Sequence, residues 1–227
     1  MTMMYEKQAR CAVCGTENQY TDIGSTNEFG SPDLDTRPPE MRRSTIFAWV
    51  QRCPQCGYCA CDVSKAPSQA EALVRSSEYI RQLSDSIYPE LANSFLCKAL
   101  IDERSGDYAA AAWALIHAAW ACDDAEKPEP ARTCRSKAVV MIEKALESGQ
   151  KVAEQDGADT AIQVDLLRRA GRLADARQLI STKRPTITED IISTILVFQD
   201  DLLTHGDEAC HTIAEVLAES NKNSLDF

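Results

Sequence analysis

Cys11-Ala-Val-Cys14-Gly15 and Cys53-Pro-Gln-Cys56-Gly57 are the two stretches around which the chain is organised. Each reads C-x-x-C-G. Two residues between the thiols let one tight turn aim both sulfurs at a single point. The glycine that follows lets backbone N–H groups come close to them. Two such hooks supply four thiolates, the closed tetrahedral set of a structural zinc site, so Cys11, Cys14, Cys53 and Cys56 are the expected zinc ligands. The 38 residues between Cys14 and Cys53 exceed a minimal finger loop but suit a ribbon-like module. A redox C-x-x-C would precede a helix within a βαβ unit, and no such pattern follows here. Cys59 and Cys61 are expected on the strand leaving the second hook rather than as ligands, because four thiolates already close the site. Paired C-x-x-C-G hooks also bind iron, so a rubredoxin-like site stands as an alternative.

Composition narrows the function. The formal charge of the 227-residue chain is −11 and its pI is about 4.8. A general nucleic-acid binder needs a basic face, so nucleic acid is disfavoured as a partner, and so is an anionic membrane surface. No stretch has the roughly 18 apolar residues of a membrane span, and Met1–Arg10 has no apolar run of signal-peptide length. With ten cysteines and no sign of export, a reduced, cytoplasmic protein is expected. Cys97, Cys122, Cys134 and Cys210 are placed on predicted helices as small hydrophobes.

Residues 1–65 and 66–227 differ in kind, with the boundary near Pro67. In the first part, Tyr20–Glu40 reads as an extended, turn-rich loop, because its glycines and prolines forbid a long helix. Thr45–Arg52 is β-branched and aromatic and predicts a strand feeding the second hook. The second part is helical. Ser68-Gln-Ala-Glu71 predicts a capping box, with Leu73, Ile80, Leu83 and Ile87 on one apolar face. Further helices are expected from Pro89, Asp107, Pro128, about Thr160, Leu173, Thr188 (as a cap) and Asp207 to Ser220, with a frayed end at residues 221–227. This part is expected to fold on its own.

Gly106-Asp-Tyr-Ala-Ala-Ala111 and Gly171-Arg-Leu-Ala-Asp-Ala176 share a helix-break pattern, echoed more briefly at Gly206-Asp-Glu-Ala209. The spacings of 65 and 35 residues are near two periods and one period of a tetratricopeptide repeat, which is about 34 residues of paired helices. Gly106, Tyr108, Ala111 and Ala118 fit that consensus, whereas Lys98 and Asp102 stand where large apolar residues are usual. The fold class is therefore mainly α: a small zinc-ribbon-like module, then an all-α array of tetratricopeptide-like hairpins. Cys11-x-x-Cys-Gly15, Ser25-Thr-Asn-Glu-Phe-Gly-Ser-Pro-Asp-Leu-Asp-Thr-Arg-Pro-Pro39 and Cys53-Pro-x-Cys-Gly-Tyr58 together resemble a bacterial family described as a domain of unknown function. The resemblance implies a zinc module followed by such helices and brings no activity with it.

No nucleophile elbow or Gly-rich phosphate loop is present, and a closed four-thiolate site has no position for a reactive water. His117, His205 and His211 read as structural groups on helices or at their ends, so no catalysis is expected. Trp113, His117 and Trp120 form one helical stripe, which is either core or the lining of a partner groove. Asp33, Asp35 and Arg37 form the remaining candidate, a recognition loop tethered by both hooks. The plainer alternative is that the acids make turn hydrogen bonds and Arg37 pairs with one of them. The expected function is a zinc-binding adaptor for a protein or peptide. A nucleic-acid role would require a free basic patch at Arg37, Arg42, Arg43 and Arg52.

Overall fold

The computed structural model describes the backbone of residues 1–223 and the side chains through residue 221. The chain is mainly helical, with a small strand-rich N-terminal region. Strand β1 (Met3–Arg10) pairs antiparallel with β2 (Glu17–Ser25), and the first hook forms their turn. Short β3 (Glu28–Phe29) pairs with β4 (Glu40–Met41), and β5 (Gln51–Arg52) pairs with β6 (Cys59–Ala60) around the second hook.

Thr45–Arg52 is not a strand. Arg43–Ala48 winds into a 3-10 turn, with Thr45 and Trp49 N–H groups donating three residues back to Arg42 and Ile46. Only Gln51–Arg52 pairs as a strand. The turn aims Trp49 inward, and its Nε1 donates to Thr45 Oγ1 at 2.9 Å. Tyr20–Glu40 is likewise more ordered than a loop, because its first residues complete the β1–β2 hairpin.

The predicted first helix is two short ones, α1 (Ala70–Val74) and α2 (Ser77–Leu83). The capping box does not form: Ser68 Oγ bonds the side chain of Gln69, and no side chain caps α1. Ser76 caps α2 instead by accepting from Tyr79 N–H. Tyr79, not Ile80, enters the core. Its hydroxyl donates to Gly57 O and accepts from Cys59 N–H, both at 3.0 Å, so the second hook sets the rotation of α2.

The next elements are α3 (Glu90–Arg104), α4 (Tyr108–Asp124), α5 (Pro128–Glu147), α6 (Ala158–Arg169), α7 (Leu173–Lys183) and α8 (Asp190–His205). Asp107 caps α4 through Ala110 N–H, and Pro128 opens α5. α4 is buried on several faces because Ala111, Ala114, Ala118 and Ala121 let α3 and α5 close on it. The apolar departures in α3 are explained: Lys98 and Asp102 pair across one helical turn at 2.5 Å. Thr188 does not cap α8, whose N-cap is Glu189. The last helix, α9 (Ile213–Asn223), starts later than expected and leaves Cys210 and His211 off the helix. The delay follows from pairing: Leu34 N–H donates to His211 O, and Ile213 N–H to Pro32 O. Residues 221–223 continue α9, and the rest of the expected frayed end lies outside the described residues. One continuous set of buried apolar side chains runs from Ala9 and Cys11 through α4 to Val216, across the compositional boundary at residue 65.

Candidate metal centre and the loop between its hooks

The two hooks fold alike. In the first, Cys11 N–H donates to Thr16 O and Gly15 N–H to Cys11 O. In the second, Cys53 N–H donates to Tyr58 O and Gly57 N–H to Cys53 O. Each turn closes through a glycine in the left-handed region, φ 74° at Gly15 and 77° at Gly57, where a side chain would be strained. Gly57 has a second constraint, since a Cβ there would sit 2.4 Å from Leu83 Cδ2.

The hooks bring four sulfurs together. Cys11 Sγ lies 3.7 Å from Cys56 Sγ, and Cys14 Sγ lies 3.6 Å from Cys53 Sγ. All four fall within 4.8 Å of one another. Sulfurs at about 2.3 Å from a tetrahedral zinc stand about 3.8 Å apart, so this donor set can hold a metal of that size and preference. Cys59 is buried on β6 and Cys61 is exposed; neither belongs to the four-sulfur group. The thiols are held unequally. The Thr16 hydroxyl, 3.4 Å from Cys14 Sγ, lowers the Cys14 pKa to about 6. Burial pushes Cys11 and Cys56 up. A cation among the sulfurs would favour the thiolate form of all four.

Asp33, Asp35 and Arg37 do not form an exposed recognition surface. They are 3%, 0% and 7% exposed, and their partners lie elsewhere. Asp33 pairs with Arg43 at 2.6 Å. Asp35 Oδ2 accepts from Trp120 Nε1 at 2.8 Å and from Arg169 Nη1 at 2.9 Å. Arg37 Nη2 donates to both Asp124 oxygens at 2.6 and 2.7 Å. The pairing of Arg37 with a loop acid is therefore corrected: its guanidinium reaches α4, and only its backbone N–H meets Asp35. Arg169 also pairs with Asp123, which holds Arg135 in turn. The loop is thus a strut that joins the four-cysteine module to α4, α6 and the segment before α9.

The helical stripe is part core and part lining. Trp120 is buried, while Trp113 and His117 are half-buried. With Trp49 they line a cavity of about 710 Å³ between the strand-rich region and α4. His117 touches four rings, its centroid 5.1 Å from Trp49, 5.3 Å from Phe95, 6.0 Å from Trp113 and 5.0 Å from Trp120. Burial, with a smaller contribution from Lys98, lowers its pKa to about 3, so it is neutral at pH 7. The signal for this cavity was the stripe spacing; the contribution of Trp49 was hidden by the strand-like reading of its segment. His211 sits off the helix between Asp207 and Glu215, and His205 ends α8 beside Gly206. Among the described residues, no helix is long and apolar enough to cross a membrane. No family model, no curated protein and no solved structure matches the chain.

Proposed function

We propose that the protein is a zinc-stabilised adaptor that binds a protein or peptide partner and performs no catalysis. The observation that carries this reading is the cavity at the seam, whose walls come from both regions that the hooks and the loop lock together. Four thiolates would close the shell of zinc, leaving the metal a structural role and the cavity the binding role. Helices α3, α4 and α5 pack as successive hairpins, consistent with a tetratricopeptide-like array, an architecture whose common use is to present extended binding surfaces. All ten cysteines are free thiols, which suits a reduced cytoplasmic setting.

The nucleic-acid reading loses its distinguishing feature. Arg37, Arg42, Arg43 and Arg52 each pair with an acid, Asp124, Glu28, Asp33 and Glu90 respectively. These pairings offset the basic charge that a phosphate backbone would need at these positions. The test is capture of partners by the immobilised full chain, compared with a Trp113→Ala chain of the same zinc content. Partners retained by the wild type and lost with the variant support the reading. Identical capture by both removes the cavity from it. Zinc or iron is decided by metal analysis of the same preparation, and a red protein would favour iron.

A further inference from the structure

The seam cavity has an unusual chemical surface. Each indole N–H is already donated inward: Trp49 to Thr45 Oγ1, Trp113 to Val152 O, and Trp120 to Asp35 Oδ2. The indoles therefore contribute π faces to the cavity but no donors. His117 at their centre is uncharged, and its ring nitrogens find no hydrogen-bond partner among the described residues. The charged groups of the lining, Asp22, Glu28 and Arg42, all keep exposed side chains, at 37%, 44% and 54%.

Cations already rest on two of these rings. Arg42 Cζ lies 6.0 Å from the centre of Trp49 while Nη1 pairs with Glu28 at 2.6 Å. Arg37 Cζ lies 5.9 Å from the centre of Trp120, from the loop side. Indole faces attract guanidinium and ammonium groups through the ring quadrupole. The Arg42 and Glu28 side chains are 54% and 44% exposed, so this pair can exchange with an incoming cation without opening the core. Asp22, 4.0 Å from Lys7, supplies a second exposed carboxylate of the lining, and the chain as a whole carries −11. An anionic ligand would find no free donor on the indoles and a strongly negative protein around it.

We propose that this cavity receives the cationic side chain, arginine or lysine, of a partner peptide, with Arg42 as its internal stand-in. The proposal rests on the peptide-adaptor reading and specifies its ligand. Binding exchanges the Arg42–Glu28 pair for a pair between Glu28 and the incoming cation, and sets that cation against Trp49 and Trp113.

All three tryptophans of the chain line this one cavity, so intrinsic fluorescence reads its occupancy. The probes are the blocked peptides acetyl-Gly-Ser-Arg-Ser-Gly-amide and its counterparts with glutamate or leucine at the centre. The arginine peptide is expected to give a saturable change at about tenfold lower concentration than the other two. Glu28→Gln should weaken it several-fold. Arg42→Ala should tighten it by removing the internal competitor, whereas it would weaken any ligand that uses Arg42 as a contact. Both variants alter exposed side chains, and thermal melts confirm that they fold. Saturation by the glutamate or leucine peptide in preference to arginine overturns the cation assignment and leaves the adaptor reading standing. No response to any of the three also overturns the cation assignment, and the adaptor reading then stands or falls on the capture experiment.

Discussion

Asp35 is fully buried and meets three donors, the Trp120 indole and the Arg169 guanidinium at Oδ2 and the Arg37 backbone N–H at Oδ1. Removing its charge while keeping its shape leaves Arg169 facing Asp123 and Asp165 alone. Asp35→Asn should therefore cost about 3–5 kcal/mol in denaturant melts, since one member of a shielded ion pair is lost. Arg37→Ala should cost less, about 1–3 kcal/mol, because Asp124 is half-exposed and can be hydrated. Normal stability in both variants would contradict the strut. His117 gives a pH signature. Its folded pKa is about 3 because burial disfavours the charged imidazolium, whereas an unfolded histidine titrates near 6.5. Between those values the unfolded chain binds the extra proton, so this contribution to stability is complete above about pH 6.5 and is lost as pH falls toward 3. The loss is about 1.4 kcal/mol per pH unit in that window. Melts of wild type and His117→Phe between about pH 4 and 7 check this; equal pH slopes would contradict it. The residue partnerships were the least legible feature of the sequence. Asp35 and Arg169 are 134 positions apart, and Arg37 and Asp124 are 87 apart, so no local pattern joins them.

Elements whose signal is local could be read from the sequence. The hooks are set by C-x-x-C-G spacing, and α3 to α8 by glycine and proline breaks combined with apolar periodicity. The β1–β2 hairpin was hidden because nearly all the side chains of β1 are exposed, which removes the alternation that marks a half-buried strand. The rotation of α2 was hidden because its core residue is Tyr79, held by polar contacts to the second hook, and not the aliphatic Ile80. The same contact predicts coupling between hook and helix. Gly57→Ala should destabilise the module, because its Cβ meets Leu83 and the residue must keep a positive φ. Cys14→Ser should lower metal affinity and raise hydrogen exchange across residues 5–62, since metal binding contributes to the folding of so small a strand region. Cys122→Ser, buried on α4 and outside the four-sulfur group, should keep full metal content. Unchanged exchange in Cys14→Ser would mean that the hairpins hold their shape without the ion.

At the scale of the whole molecule, composition changes at residue 65 while the apolar core does not. The loop before the second hook reaches α4, α6 and the segment before α9, so the strand-rich region and the helices meet on one scaffold. A fragment of residues 66–223 would leave Trp120 Nε1 without its acceptor and Asp124 without Arg37. It should melt less cooperatively than the full chain, in place of the independent folding that helix periodicity suggests; a full-strength cooperative melt would show that the struts are dispensable. We propose that the two hooks close on one metal ion and so hold this scaffold in register. The most direct test is metal stoichiometry, measured by mass spectrometry on wild type and on Cys11→Ser/Cys53→Ser purified identically. One zinc per wild-type chain and none in the double variant is the expected result, whereas stoichiometric zinc retained by the double variant would rule out the four-sulfur ligand set.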